Sequence, residues 1–129
     1  MLTGLLTPEG RALLDAVMKN VPSGLTLATA PGCTILRVSD FGSRLLQRPR
    51  ERLEGISVEA HPDAYRVLDP ATGEPAPPTD LPLARAAIYG ETVTNREMIV
   101  VAEDGEKIPV LCNAGPIRSP AGELGSGLI

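Results

Sequence analysis

Asp104-Gly105 stands between two aliphatic runs in REMIVVAEDGEKIPVLCNAGP, from Arg96 to Pro116. An Asp-Gly pair in that setting predicts a β-hairpin. Side chains alternate along a strand, so Val100 and Ala102 share one face of the first arm, and Ile99 and Val101 share the other. On the return arm Ile108, Val110, Cys112 and Ala114 lie on one side, with Pro109, Leu111 and Asn113 on the opposite side. A ribbon that is apolar on both sides cannot lie open to water. It must be covered twice, by helices on one face and by something else on the other.

The rest of the chain supplies candidates for that cover. Thr7, Pro8 and Glu9 carry the signals of a helix start, and Leu13, Leu14, Val17 and Met18 repeat at helical spacing, which predicts a helix over 8–20. Leu25 to Ala30 and Cys33 to Val38 read as strands joined at Pro31-Gly32. Ser39 or Asp40 is expected to cap a short helix bearing Phe41, Leu45 and Leu46. Pro49-Arg50-Glu51 starts a further turn that Gly55 ends. The Pro-rich stretch 61–78 reads as a surface loop. Thr79 or Asp80 is expected to cap a helix over LPLARAAIYG, closed by Gly90. After the hairpin, Ser119 to Gly122 is a turn. Leu124 to Ile129 begins a strand with no stop signal, so the native chain is expected to continue. Strands and helices do not alternate as in a doubly wound sheet. The order predicts an α+β domain with about five mainly antiparallel strands.

Composition narrows the functions. The 129 residues suit one domain, and 43% hydrophobic with 22% charged residues is a globular balance. A net charge of −4, scattered Lys and Arg and 2% aromatic residues exclude the basic, ring-bearing surface of a nucleic-acid binder. No apolar run reaches a membrane span and no signal peptide is evident, which predicts a cytoplasmic segment. Cys33 and Cys112 make neither a disulfide framework nor a zinc site, and each reads as a small buried hydrophobe. The single histidine, His61, would have to serve any Ser–His–Asp or Cys–His scheme. No nucleophile elbow, phosphate loop or metal motif accompanies it, so catalysis by this domain is not expected.

Three segments carry a family likeness. VSDFGSRLLQRPRERLEG resembles the start of a PAS domain, with Ser39 where the family usually has Asn. LPLARAAIYGETV, preceded by Pro77-Pro78, resembles the helix-plus-Gly segment of a large bacterial PAS group. EDGEKIPVLCNAGPIRSPAGEL is similar to the hairpin and last turn of these domains. The likeness runs from about Leu13 to Ile129, in the family's order and spacing. It implies a five-stranded antiparallel sheet of order 2-1-5-4-3. Short helices would lie on one face and the N-terminal helix, residues 1–22, on the other, with 23–129 as the core and the last strand cut short. Pro109 falls where the family commonly has a large residue, and a bulge or unpaired position is expected there because Pro cannot donate to the ladder. In that order the two cysteines lie three strand spacings apart, about 14 Å. That exceeds the ~7 Å reach of a disulfide, so both thiols should be free.

The resemblance also implies a role. PAS domains are sensory and interaction modules that relay a change to an output domain, often a histidine kinase, in the same chain. A ligand pocket is expected between the helices and the inner sheet face. Its candidates are Leu27, Leu36, Tyr65, Arg85, Ile88, Val100, Val110, Cys112 and Ala114. Arg85 is available to meet an anionic group, though it also reads as solvent-facing. A ligand-free module with a filled core is the alternative. No cofactor is expected. The reactive-Cys helix of the light-sensing flavin subgroup is missing. Val100 and Val110 stand where polar groups would read a flavin edge, and each unpaired flavin group would cost about 1–3 kcal/mol. The helix that supplies an axial ligand in haem-binding relatives holds no His. Leu13, Leu14, Val17 and Met18, with Ile99, Val101 and Leu111 on the outer sheet face, are expected to form a homodimer interface.

Overall fold

The computed structural model of the chain describes residues 7–60, 64–118 and 124–128. Its elements are α1 (Pro8–Asn20), β1 (Thr26–Ala28), β2 (Ile35–Val38), α2 (Asp40–Leu46), α3 (Arg50–Leu53), β3 (Val67–Leu68), α4 (Pro82–Tyr89), β4 (Val93–Val101), β5 (Lys107–Arg118) and β6 (Leu124–Leu128), with single 3-10 turns at Val58–Ala60 and Pro78–Asp80. The strands form one sheet of order β2-β1-β6-β5-β4-β3, and every pairing is antiparallel. Apart from β3 this is the anticipated order, with the final strand in the middle. The two-residue β3 is an addition. It arises within the stretch read as loop and pairs Val67 with Val100 and Leu68 with Ile99 at the sheet edge.

The hairpin forms around the Asp-Gly turn. Gly105 takes φ 91°, a left-handed value that only glycine adopts without strain. Its N–H bonds the Ala102 carbonyl at 2.8 Å, and the Asp104 carboxylate accepts from Glu106 N–H at 2.9 Å. The expected bulge at Pro109 is corrected. Pairing runs unbroken from Arg96↔Cys112 through Ile99↔Pro109 to Val101↔Lys107, and the register shift falls instead between Val93 and Arg96. Alternation gives the reason. Ala102 N–H bonds Glu106 across the hairpin whereas Val101 N–H bonds Arg66 on the far side, so the even residues of β4 bond β5. Pro109, opposite the odd residue Ile99, has its missing donor on the other edge.

Helix starts follow local chemistry. Thr7 Oγ1 accepts from Gly10 N–H at 3.0 Å and opens α1. Ser39 opens α2 and is fully buried: its Oγ accepts from Gly42 N–H at 3.2 Å and Leu25 N–H at 2.9 Å and donates to the Ser23 carbonyl at 2.8 Å. One hydroxyl thus caps a helix and fixes the entry to β1. Gly90, with φ 70°, closes α4. The start of α4 differs from expectation. Its cap position is Leu81, with no side-chain bond, because Asp80 is drawn instead to Arg85 and Arg96.

The main core lies between the sheet and the helices. Ala28, Ile35, Val38, Leu46, Leu53, Leu81, Leu83, Ala84, Ala87 and Met98 are buried together, with Val100, Val110 and Cys112 packed against them. Each large aliphatic side chain buried this way contributes about 1.5–3 kcal/mol. Cys33 is buried in the turn ahead of β2 with φ 56°, rather than on the strand, and both cysteines are free.

The outer face needs the larger correction. α1 rests against α2 and ties to β2 through Asp15 and Arg37 at 3.0 Å. It does not lay its stripe across β4 and β5: Leu13 stays 65% exposed and Leu111 62%. Met18 and Val101 are buried within the protomer at 1% and 4%, so neither is available to a partner. Leu14 and Ile99 are half-buried, and Val17 is exposed.

Candidate functional site

A cavity of about 630 Å³ lies between α2, the first turn of α4, the inner sheet face and the segment leading into β1. Four things hold its walls apart. From β4 and β5 come Val100, Val110 and Cys112, whose side chains share the inner face by strand alternation. α2 presents Phe41, Leu45 and Leu46 at helical spacing, and α4 contributes Leu81, Pro82 and Leu83. The fourth wall is 21–26, held by the Ser39 bonds to Ser23 and Leu25. α2 approaches this segment closely because Gly42 has no side chain. A Cβ there would stand 3.4 Å from Gly24 Cα and 3.3 Å from Val38 Cγ1.

Polar groups on the wall are few. Tyr65 donates its hydroxyl to the Leu53 carbonyl at 3.3 Å and shares a hydrogen bond with the Thr26 side chain; burial pushes its phenol well above the ordinary tyrosine range. Burial raises the Cys112 thiol too, with Arg96 opposing weakly. Both groups are therefore neutral near pH 7. Asn113, also on the wall, accepts from Asn95 N–H at 3.0 Å. β5 pairs with β6 at Gly115, Pro116 and Arg118.

Of the nine residues expected to form a pocket, the structure brings Tyr65, Val100, Val110 and Cys112 together on this wall. The other five are corrected. Leu27 is buried but outside the main core, because its neighbours Thr26 and Ala28 take the inner face of β1. A register shift between Leu27 and Ala28 turns Ile35 and Val38 inward and leaves Leu36 off the wall. Arg85 lies outside the cavity, donating to Asp80 at 2.6 and 2.9 Å and to Glu91 at 3.2 Å. Ile88 packs against the core from further along α4, and Ala114 is buried beside that helix rather than at the cavity. Thr26, Phe41 and the 21–25 segment were not anticipated. Only the phase of β1 could have revealed Thr26, and hydrophobicity favours Leu27 in its place.

A second, more open cleft of about 480 Å³ joins Asp15, Asp40 and Glu54 with Lys19, Arg37 and Arg50. Its charges balance, with Asp15 on Arg37 and Asp40 near Arg50 at 3.8 Å. Among the described residues no cluster of His, Cys, Asp and Glu is arranged to hold a metal ion, and no helix is long and apolar enough to cross a membrane. His61 lies outside the described residues.

No protein-family model matches the chain, and no curated protein is significantly similar to it in sequence. Solved structures are similar. A PAS domain of an HTR-like protein from Haloarcula marismortui is 19% identical, with TM-score 0.60 over 94% of this chain and 89% of that one. A light-oxygen-voltage domain whose mechanism was probed with a flavin analogue is 15% identical, with TM-score 0.62 over 97% and 83%. The light-state dimer of the fungal blue-light photoreceptor Vivid is 15% identical, with TM-score 0.61 over 84% and 76%. These likenesses correct the expectation of no cofactor. Chains with this fold include a light-oxygen-voltage domain studied through a flavin analogue, so Val100 and Val110 on the inner face are no ground for setting flavin aside. At such identities the comparison speaks to architecture, and the architecture is clear: the chain has the fold of a PAS domain.

Proposed function

We propose that this chain is a sensory module that takes a small organic ligand in the cavity and relays its presence to an output domain, with a two-component histidine kinase as the first candidate. The carrying observation is a half-open cavity of about 630 Å³ between the helices and the inner sheet face, a volume suited to a small molecule. A flavin ring is one candidate occupant, given the fold's light-oxygen-voltage members. Val100, Val110 and Leu45 would be its apolar neighbours, and Thr26 and Tyr65 the polar ones. When bound, the flavin would supply light absorption and redox chemistry, and the apolar sheet and helix walls would shield the ring from water on those sides. On this reading residues 1–22 form a cap segment and 23–129 the sensory core, with no catalysis in the domain itself.

Native mass spectrometry of the purified chain, alone and with riboflavin, tests the proposal. A retained or added small-molecule mass supports it. A bare mass under both conditions, with no shift in melting temperature, would sink it. The second reading is a dimerisation and relay module, favoured by the exposure of Leu13, Val17 and Leu111.

A further inference from the structure

We propose that the cavity selects electrically neutral ligands and discriminates against analogues bearing a carboxylate or phosphate on the part that enters it. This rests on the reading of the cavity as a ligand site. Every described residue on its wall is uncharged at neutral pH, and the polar residues among them are Ser23, Thr26, Tyr65, Cys112 and Asn113. Burial keeps the Cys112 thiol and the Tyr65 phenol protonated, so neither adds a charge.

The arginines around this part of the fold are engaged elsewhere. Arg96, next to Cys112 on the hairpin in register, donates to the Asp80 carboxylate and carbonyl at 2.7 and 2.8 Å. Arg85 is held by Asp80 and Glu91. Arg48 is held by Glu103 and the Val101 carbonyl. None of the three lies on the wall. An ion placed inside would lose its water and gain no counter-charge, the unfavourable half of a buried ion pair.

One feature pulls the other way. Leu81, Pro82 and Leu83 on the wall are the first turn of α4, and no side chain caps it. A helix start carries only a partial positive charge. That favours a carbonyl or hydroxyl oxygen on the ligand but does not replace a cation. The fitting ligand class is therefore a neutral, mostly apolar molecule with one or two hydrogen-bonding oxygens.

The test is calorimetric titration of the full chain at pH 7 with 2-naphthol and 2-naphthoate, which share a ring system and differ in charge. Naphthol is expected to bind at least ~10-fold tighter. Placing a cation at the rim by Ser23→Arg, at an exposed wall position that bonds Ser39 only through its carbonyl, is expected to narrow that gap about threefold or more. Equal or tighter binding of naphthoate, or a gap that Ser23→Arg leaves unchanged, overturns the charge selectivity while the cavity stands as a ligand site. If naphthol, naphthoate and riboflavin all fail to bind, the ligand-site reading itself falls and takes this inference with it.

Discussion

Arg48 is the residue that most repays attention at the smallest scale. Its side chain is 2% exposed. Nη1 donates to the Val101 carbonyl and Nε meets Glu103, each at 3.0 Å, while Nη2 is buried without a partner among the described residues. Glu103 N–H also bonds the Leu46 carbonyl at 3.0 Å, and Gln47 and Asp104 exchange two bonds. The corner between α2 and α3 is thus clasped to the hairpin tip. Arg48→Ala should cost about 2–4 kcal/mol, since it removes packing and strands a buried carbonyl. Arg48→Met keeps most of the packing and discards the unpaired Nη2 but still strands that carbonyl, so it should cost about 1–2 kcal/mol, less than the Ala variant. Urea unfolding measures both; an Ala variant within about 0.5 kcal/mol of the parent would refute the clasp. Asp80 gives a pH test. Hydrogen bonds from Arg96 and then Arg85 hold its carboxyl below the ordinary 3.8. A folded value below the unfolded one stabilises fully above about pH 4 and is lost as pH falls through the depressed value. The stability advantage of the parent over Asp80→Asn should therefore shrink as pH falls below about 4 and through the depressed value. An advantage that stays constant over that range would contradict it. Neither role was legible in the sequence. Asp80 read as a helix cap because it precedes α4, and the partner that redirects it, Arg96, lies 16 positions away.

At the scale of elements, local signals carried most of the weight. α1 and α2 open on the side-chain caps their sequences offer, whereas α4 is bounded by Pro82 and Gly90 without the cap expected at Thr79 or Asp80. The hairpin forms around its Asp-Gly turn, and Gly105→Ala should cost about 1 kcal/mol by forcing a side chain into a left-handed conformation. A thermal scan with an unshifted midpoint would rule that out. Three things stayed hidden because they depend on register or on chain crossings. β3 exists only because Arg66 to Leu68 meets the edge of β4. The shift at Leu27/Ala28 decides which of Ile35 and Leu36 faces inward. Gly42, inside a short helix, lets α2 touch Gly24. A β-branched side chain there cannot be absorbed by backbone on one side and Val38 on the other. Gly42→Val should destabilise by about 2 kcal/mol or more, read by urea unfolding. A smaller loss would mean that the 21–25 segment yields, and the cavity wall with it.

For the molecule as a whole, the unresolved matter of physics is the apolar surface left bare. α1 offers Leu13 and Val17 to solvent and the outer sheet face offers Leu111. The two patches are not joined within the protomer, because α1 is anchored elsewhere, by buried Met18 and by Asp15 on Arg37. A two-fold arrangement would let the α1 stripe of one copy cover the sheet face of the other, since an isologous contact presents the same surfaces twice. The interface we propose therefore uses Leu13, Val17 and Leu111, with half-buried Leu14 and Ile99 at its margin. Met18 and Val101 are spent within the protomer. Sedimentation equilibrium at rising concentration should show a dimer in the parent. Leu13→Glu or Leu111→Glu should each weaken it by at least ~10-fold in Kd, because both positions are exposed in the protomer and a charge there opposes burial without disturbing the fold. Reversing the contact with Leu111→Lys against Leu13→Glu should restore part of the affinity in the mixed pair but not in either variant alone. Such recovery would place α1 of one copy on the sheet of the other. A parent that stays monomeric throughout would leave the bare face to a different segment.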